Sequence, residues 1–402
     1  MIGTLNTAEK RVTIIGAGIS GLLVGYTLKR KGYQVTIHEK TNRCGGLIQT
    51  KHTEHGIVET AAHSILVNET VQSFLDELGV ELLAVNPKSK ARFIYRNGKM
   101  RRMPLHFLEI IKTLFKFFRK PKLLKPLKSL TLEEWGNAYL GKAATRYLLA
   151  PFTSGIFACD PSELNTNLSF PKLLPEIENI SLFQHLRSLR KNPKSKRAQM
   201  MVFKNGTEDL IHKLQKALEG NIRFNSTISD LNSIEGNLIL SVPAHDIEYS
   251  PLVTATVFIS KNAFRKKEPS GVGVLVPRGE NIRMLGCLFN SSAFPGRALN
   301  DHEVSLTVMY GGTADPKAVT LNDEDLKNLI RNELSILFQT NQPPLLIEIT
   351  KWQRAIPIYS EKLALYIENL SKNFSSSPGK MIFTNFSGQV SIRSLIETVQ
   401  KL

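Results

Sequence analysis

Apolar and polar positions change rhythm several times along the chain, and each change predicts a different kind of element. Residues 11 to about 75 open with an apolar run ending at Ile14-Ile15, pass through helical spacing, return to a strand at 33–38, and reach a short apolar return at Gly56-Ile57-Val58-Glu59. Strand, helix and strand in that order begin a nucleotide-binding unit. Within residues 91–103, Arg92-Phe93-Ile94-Tyr95-Arg96 alternates into Asn97-Gly98, which predicts a hairpin. From residue 105 to about 190 apolar residues recur at three- and four-residue spacing, the signature of helices. A helix is expected at 209–218 and short strands around Ile222, Ile228 and 238–242. Alternation at 255–259, 272–276 and 304–309 predicts a mixed sheet, followed by a helix at 326–338, a strand at 381–384 and a helix at 393–402.

The first strand runs into Gly16-Ala17-Gly18-Ile19-Ser20-Gly21, and Glu39 ends the next one. The first glycine permits a tight strand-to-helix turn, the second lets backbone approach a pyrophosphate, and the third lets helix lie on strand. The phosphates then face a helix N-terminus. A carboxylate at Glu39 suits an adenosine ribose and repels a 2′-phosphate, which disfavours NADP. Arg43-Cys44-Gly45-Gly46 follows at once, and this second glycine pair turns the reading from NAD to FAD.

Charge adds a second theme. The 402 residues carry 52 Lys and Arg against 35 Asp and Glu, a net charge of +17, which favours an anionic partner. No nucleic-acid-binding motif accompanies it, so an anionic bilayer or an acidic small molecule fits better. Residues 110–130 interleave Phe115, Phe117 and Phe118 with Lys112, Lys116, Arg119, Lys120 and Lys122, a mixture suited to the lipid head-group boundary. A solvated helix whose lysine stems cover a core is the alternative, and Pro121 and Pro126 interrupt the stretch. A second basic cluster at 187–197 reads as an exposed linker. Cys44, Cys159 and Cys287 are too scattered for a disulfide framework or a zinc site. With no signal-like N-terminus and no apolar run near 18 residues, a cytoplasmic protein, soluble or peripheral at the membrane, is expected.

The middle of the chain carries a family resemblance. Ala150-Pro151-Phe152-Thr153-Ser154-Gly155-Ile156-Phe157-Ala158-Cys159-Asp160-Pro161, followed by Phe170-Pro171, resembles a signature of the oxygen-dependent, FAD-containing protoporphyrinogen and coproporphyrinogen oxidases. Gly271 to Arg278, Asn290 to Ala298, Met309-Tyr310-Gly311-Gly312 and Trp352 to Tyr359 agree in order. The resemblance implies an α/β fold with three parts. A Rossmann-like FAD domain would be assembled from 1–80, 198–250 and 376–402, and a mixed-sheet substrate domain from 81–104 and 251–375. The helical insertion at 105–197 would associate with the membrane. Candidate cofactor residues are Gly16, Gly18, Ile19, Ser20, Gly21, Glu39, Lys40, Arg43, Gly45, Gly46 and, near the C-terminus, Val390.

The resemblance further implies that Arg101, with Arg102 as its understudy, holds a substrate carboxylate. Gly155 would leave room beside the macrocycle, and Leu275 and Phe294 would sandwich a pyrrole ring. The reaction would move hydride from a meso carbon to the flavin in three cycles, with dioxygen as acceptor. No catalytic acid, base or metal is needed. A homodimer is left open, as is the choice between the two porphyrinogens. The chain also departs from the family pattern. Thr384 and Gln389 replace glycines of the C-terminal FAD motif, Ser394 stands at an Asp position, Glu59 to Ser64 lacks the usual Gly-Pro, and Lys362-Leu363 replaces Gly-His. Those changes keep two other readings in view: a flavin- or porphyrin-binding protein without turnover, and another amine oxidase- or desaturase-type enzyme.

Overall fold

Val12 and Ile14 of strand Arg11–Ile15 point into the core beside Val35 and Ile37 of strand Gln34–His38, and these two parallel strands seed a six-stranded sheet. The computed structural model describes residues 1–175, 180–190, 198–375, 378–388 and 390–402. The sheet runs Ile2–Gly3, Lys380–Ile382, Asn237–Leu240, Arg11–Ile15, Gln34–His38, Ile222–Arg223, and only the Ile2–Gly3 edge is antiparallel. Helix Ile19–Arg30 is buried from Ser20 to Leu28, between helices Glu208–Ala217 and Ile392–Val399. Gly25 makes that packing possible, because a Cβ there would sit 2.8 Å from Ile37 Cδ1. The strand expected at Ile228 does not form. The chain turns at Asn225, whose φ is 51, and Ser226 N–H then donates to Glu39 O, so no strand follows Ile222–Arg223 at this edge.

A seven-stranded sheet has the order Leu346–Pro357, Tyr249–Ser260, Glu303–Gly311, Gly286–Leu288, Gly273–Leu275, Arg92–Arg96, Lys99–Arg101. The hairpin forms as expected, with Asn97 (φ 52) and Gly98 (φ 74) both in the left-handed region. One face carries Val253, Ala255, Val257, Val274, Leu306 and Val308 against helix Asp323–Phe338. Strand Leu346–Pro357 and helix Glu361–Ser375 were not expected from the sequence. A small third sheet joins Ile65–Val67, Gln199–Phe203 and Leu82–Ala84.

Between residues 105 and 190 the structure is helical. Leu132, Trp135, Tyr139, Leu149 and Phe157 share a third core, beyond those of the two large sheets, with Tyr359, Leu363, Ile382 and Phe386, so this region is stapled to the C-terminal part of the chain. Thr145–Leu149 forms a short π-helical turn leading into helix Ala150–Phe157. Helix Phe107–Phe118 buries none of its residues, and Phe107, Leu108, Ile111, Leu114, Phe115 and Phe118 stand exposed. Of the second basic cluster, Arg187 lies in helix Leu182–Arg190 rather than a linker, and 191–197 fall outside the described residues. Among the described residues no helix is long and apolar enough to cross a membrane.

Candidate functional site

The glycine loop has the geometry its spacing demands. Gly16 takes φ 100, and a Cβ on Gly21 would fall 1.9 Å from Gly16 O, so both positions are closed to side chains by the protein itself. Gly18 differs: its φ is −68 and nothing lies within 4 Å of an added Cβ. Its lack of a side chain therefore serves open space at the N-terminus of helix Ile19–Arg30, whose first turn holds no acidic residue. The second pair closes over this point. Gly45 (φ 101) donates its N–H to Ala17 O at 2.9 Å, and a Cβ on Gly46 would lie 3.5 Å from Gly18 Cα. Arg43 holds that turn in place by donating to Cys44 O at 2.9 Å and to Gly46 O.

Glu39 accepts from Ala17 N–H at 2.9 Å and from the Thr41 N–H and hydroxyl, which fixes the carboxylate beside the loop. Ile19 and Ser20 begin the helix, and Lys40 is exposed just after Glu39. This cradle fits a dinucleotide: open space at Gly18, helix N–H groups facing it, and a carboxylate set at the end of the second strand. At the C-terminus, Ser391 caps helix Ile392–Val399 through Ser394 N–H, and Ser394 Oγ accepts from Ser391 N–H in return. The departure at Ser394 is thus a reciprocal cap rather than a cap of its own. Val390 is half-buried against the third core, Thr384 is buried, and Gln389 lies outside the described residues.

The second half of the site is the face of the seven-stranded sheet opposite helix Asp323–Phe338. Register places Arg101 opposite Ile94, Ile94 opposite Leu275, Leu275 opposite Gly286, Gly286 opposite Met309 and Met309 opposite Thr254, so these six residues form one row on one face. Thr254 Oγ1 and Trp352 Nε1 both donate to Thr60 O, which lays the Thr60–His63 loop over this face. Glu59, just before it, is buried with Arg297 at 3.6 Å and accepts from Thr50 Oγ1 and Thr207 N–H. Burial, aided by the Arg297 charge, holds the His63 imidazole neutral, pushed down to about 4.

Gly155 and Leu275 are brought together, since a Cβ on Gly155 would lie 3.0 Å from Leu275 Cδ2. Leu275 remains half-exposed on the row. Arg101 is also half-buried, and its Nε is shut off from solvent with no hydrogen-bond partner among the described residues. Phe294 does not join them. It is 2% exposed and packed with Val202 and Ala293, so it serves a small core instead of a pyrrole-facing wall. Arg102 is displaced as well: strand alternation turns it to the opposite face, where its guanidinium lies 5.9 Å from the Phe93 ring. Arg92, two residues before Ile94, is an exposed cation on the same face as Leu275, and sequence reasoning passed over it. Alternation within the predicted hairpin strand already held that information.

Comparison with known proteins agrees with this geometry. The sequence matches the family described as flavin containing amine oxidoreductase over residues 19–241 and 240–366, and the chain belongs to that family. It is therefore an oxidoreductase, and FAD is its cofactor. Among curated proteins it is 26% identical to protoporphyrinogen oxidase 2, chloroplastic/mitochondrial, of Arabidopsis thaliana, covering 95% of this chain and 91% of that one. It is 22% identical to coproporphyrinogen III oxidase of Staphylococcus aureus, covering 87% and 88%. A crystal structure from Exiguobacterium sp. 255-15, assigned as a protoporphyrinogen oxidase, superposes with a TM-score of 0.80 at 19% identity, covering 99% and 98%. Cyclohexylamine oxidase from Brevibacterium oxydans shares the fold at a TM-score of 0.66 and 14% identity, covering 98% and 97%.

Proposed function

We propose that the protein oxidises a porphyrinogen to the porphyrin with dioxygen as acceptor. The observation that carries this reading is the row from Arg101 through Ile94 and Leu275 to Gly286 and Met309, a flat apolar strip ending in a cation. Such a strip suits a broad apolar ring bearing a carboxylate. Curated relatives with porphyrinogen oxidase names, matched over most of their length, support the same substrate class. FAD, held by Gly18, the helix beginning at Ile19 and Glu39, supplies the two-electron redox chemistry when bound. The chain's own residues bind and orient. Arg101 would hold a carboxylate, Ile94 and the exposed part of Leu275 would support the ring, and Gly155, whose missing side chain lets it close on Leu275, would bound the ring's edge.

The exposed apolar stripe of helix Phe107–Phe118, flanked by Lys112, Lys116 and Arg119, would dock peripherally on the cytoplasmic face of an anionic bilayer. From there an apolar substrate could enter without crossing water. The test is direct: purified flavoprotein is mixed with protoporphyrinogen or coproporphyrinogen under air, and porphyrin fluorescence and hydrogen peroxide are followed. Enzyme-dependent growth of both signals is expected. A bound-flavin spectrum with no porphyrin formed from either compound would overturn the reading.

A further inference from the structure

Beside the Gly155–Leu275 contact a cleft of about 470 Å³ opens between the helical region and the end of the seven-stranded sheet. Its walls include Lys142, Arg146 and Arg278, with Glu133 and Asp160 as the acidic members and Pro151, Pro161 and Pro277 as apolar floor. Asp160 and Asp315 lie near enough to Arg278 to favour its charge, but each has another partner. Asp160 accepts from the Ser162 N–H and hydroxyl, and Asp315 pairs with Arg283 at 3.0 Å. Among the described residues none of Lys142, Arg146 and Arg278 makes an ion pair. Arg278 is half-buried and donates to Gly311 O at 2.9 Å, which aims it from the sheet end. Lys142 and Arg146 are exposed at the rim.

The position of the cleft gives it meaning. Pro277 lies two residues past Leu275, and Arg101 lies two strands away from Leu275 on the same row. Strand spacing and rise put the backbones of Arg101 and Pro277, which lines the cleft, about 12 Å apart, the scale of a flat tetrapyrrole and not of a single carboxylate. We propose that the cleft of Lys142, Arg146 and Arg278 is a second carboxylate site, receiving acidic substituents on an edge of the ligand remote from Arg101. This rests on the porphyrinogen reading and deepens it. The preferred ligand carries carboxylates around its rim, a tetracarboxylate porphyrinogen in preference to a dicarboxylate one.

The experiment is a fluorescence titration of the FAD-loaded protein with coproporphyrin III, with four carboxylates, protoporphyrin IX, with two, and their methyl esters. Wild type is expected to bind the tetracarboxylate about tenfold more tightly, and the esters weakly. The double variant Lys142→Gln, Arg146→Gln removes only exposed side chains, and its flavin absorbance reports that the fold is kept. It should lose most of the tenfold preference while its protoporphyrin affinity stays the same. Equal wild-type affinity for the two acids, or a preference unchanged in the double variant, would overturn the second site and leave the porphyrinogen reading standing. Failure to bind either acid, with FAD in place, would overturn both.

Discussion

Arg96 and Glu109 form a two-pronged ion pair, with Nη1 to Oε2 at 2.7 Å and Nη2 to Oε1 at 3.0 Å, that ties the Arg92–Arg101 hairpin to the exposed apolar helix. Arg96 also donates to Pro104 O and lies 3.7 Å over the Tyr147 ring in the π-helical turn, so one side chain joins three elements. The Arg96 hydrogen bonds bring the Glu109 carboxyl from 4.5 down to about 2. A carboxyl depressed on folding contributes stability above its unfolded value and loses it as pH falls through the folded one. The expected result is that Glu109→Gln costs about 2 kcal/mol at pH 7, and that its deficit shrinks between pH 4.5 and 2. Urea midpoints of both proteins across that range check it, and a pH-independent deficit would contradict it.

The glycines of the nucleotide loop should separate by role. A Cβ at Gly18 meets no protein atom within 4 Å, so Gly18→Val is expected to fold and to lose its flavin absorbance. Gly21→Val drives a side chain into Gly16 O and should instead yield aggregated or unfolded protein. Circular dichroism and flavin absorbance on the same samples distinguish the two, and a yellow Gly18→Val protein would move the nucleotide site elsewhere.

Arg101→Ala is expected to raise the KM for porphyrinogen tens- to hundreds-fold, a loss of about 2 to 3 kcal/mol, without altering FAD content. Arg101→Lys should recover only part, because an ammonium lacks the planar fork. Arg92→Ala is the companion variant, since Arg92 shares the face. Unchanged kinetics in Arg101→Ala with a raised KM in Arg92→Ala would transfer the carboxylate to Arg92.

Phe107, Ile111 and Phe115 lie one helical turn apart along the exposed stripe, at 76%, 47% and 62% exposure. Replacing all three with Ser should abolish sedimentation with anionic liposomes at any salt concentration and leave the thermal midpoint within a few degrees. Phe117→Ser should do the reverse, because that ring faces Phe183 and the third core. Equal liposome binding by the triple variant would reassign the stripe to another partner.

What the sequence reveals here depends on whether a residue's constraint is local. Gly16, Gly18, Gly21 and Glu39 were legible because a tight turn and a carboxylate at a strand end are local demands of the backbone. Arg101, Ile94, Leu275 and Met309 come from four separate strands, and only register makes them a row. Phe294 carries no local mark distinguishing a ligand wall from a core, and Val202, nearly a hundred positions earlier, decides it. Strand Leu346–Pro357 escaped notice because, as a sheet edge, it carries Glu348, Lys351, Gln353 and Arg354, which blur its alternation.

The edge of the nucleotide-binding sheet joins strands far apart in the sequence, with Ile2 paired to Ile382 and strand Lys380–Ile382 lying between Ile2–Gly3 and Asn237–Leu240. During synthesis strand Ile2–Gly3 therefore has no sheet neighbour until residues 380–382 have left the ribosome. The apolar flank of Asn237–Leu240 stays uncovered for that interval, a window in which chaperones compete with aggregation. Cofactor loading becomes a late event in the life of the nascent chain, and a ribosome stalled before residue 380 would release a polypeptide whose flavin-binding sheet is still open.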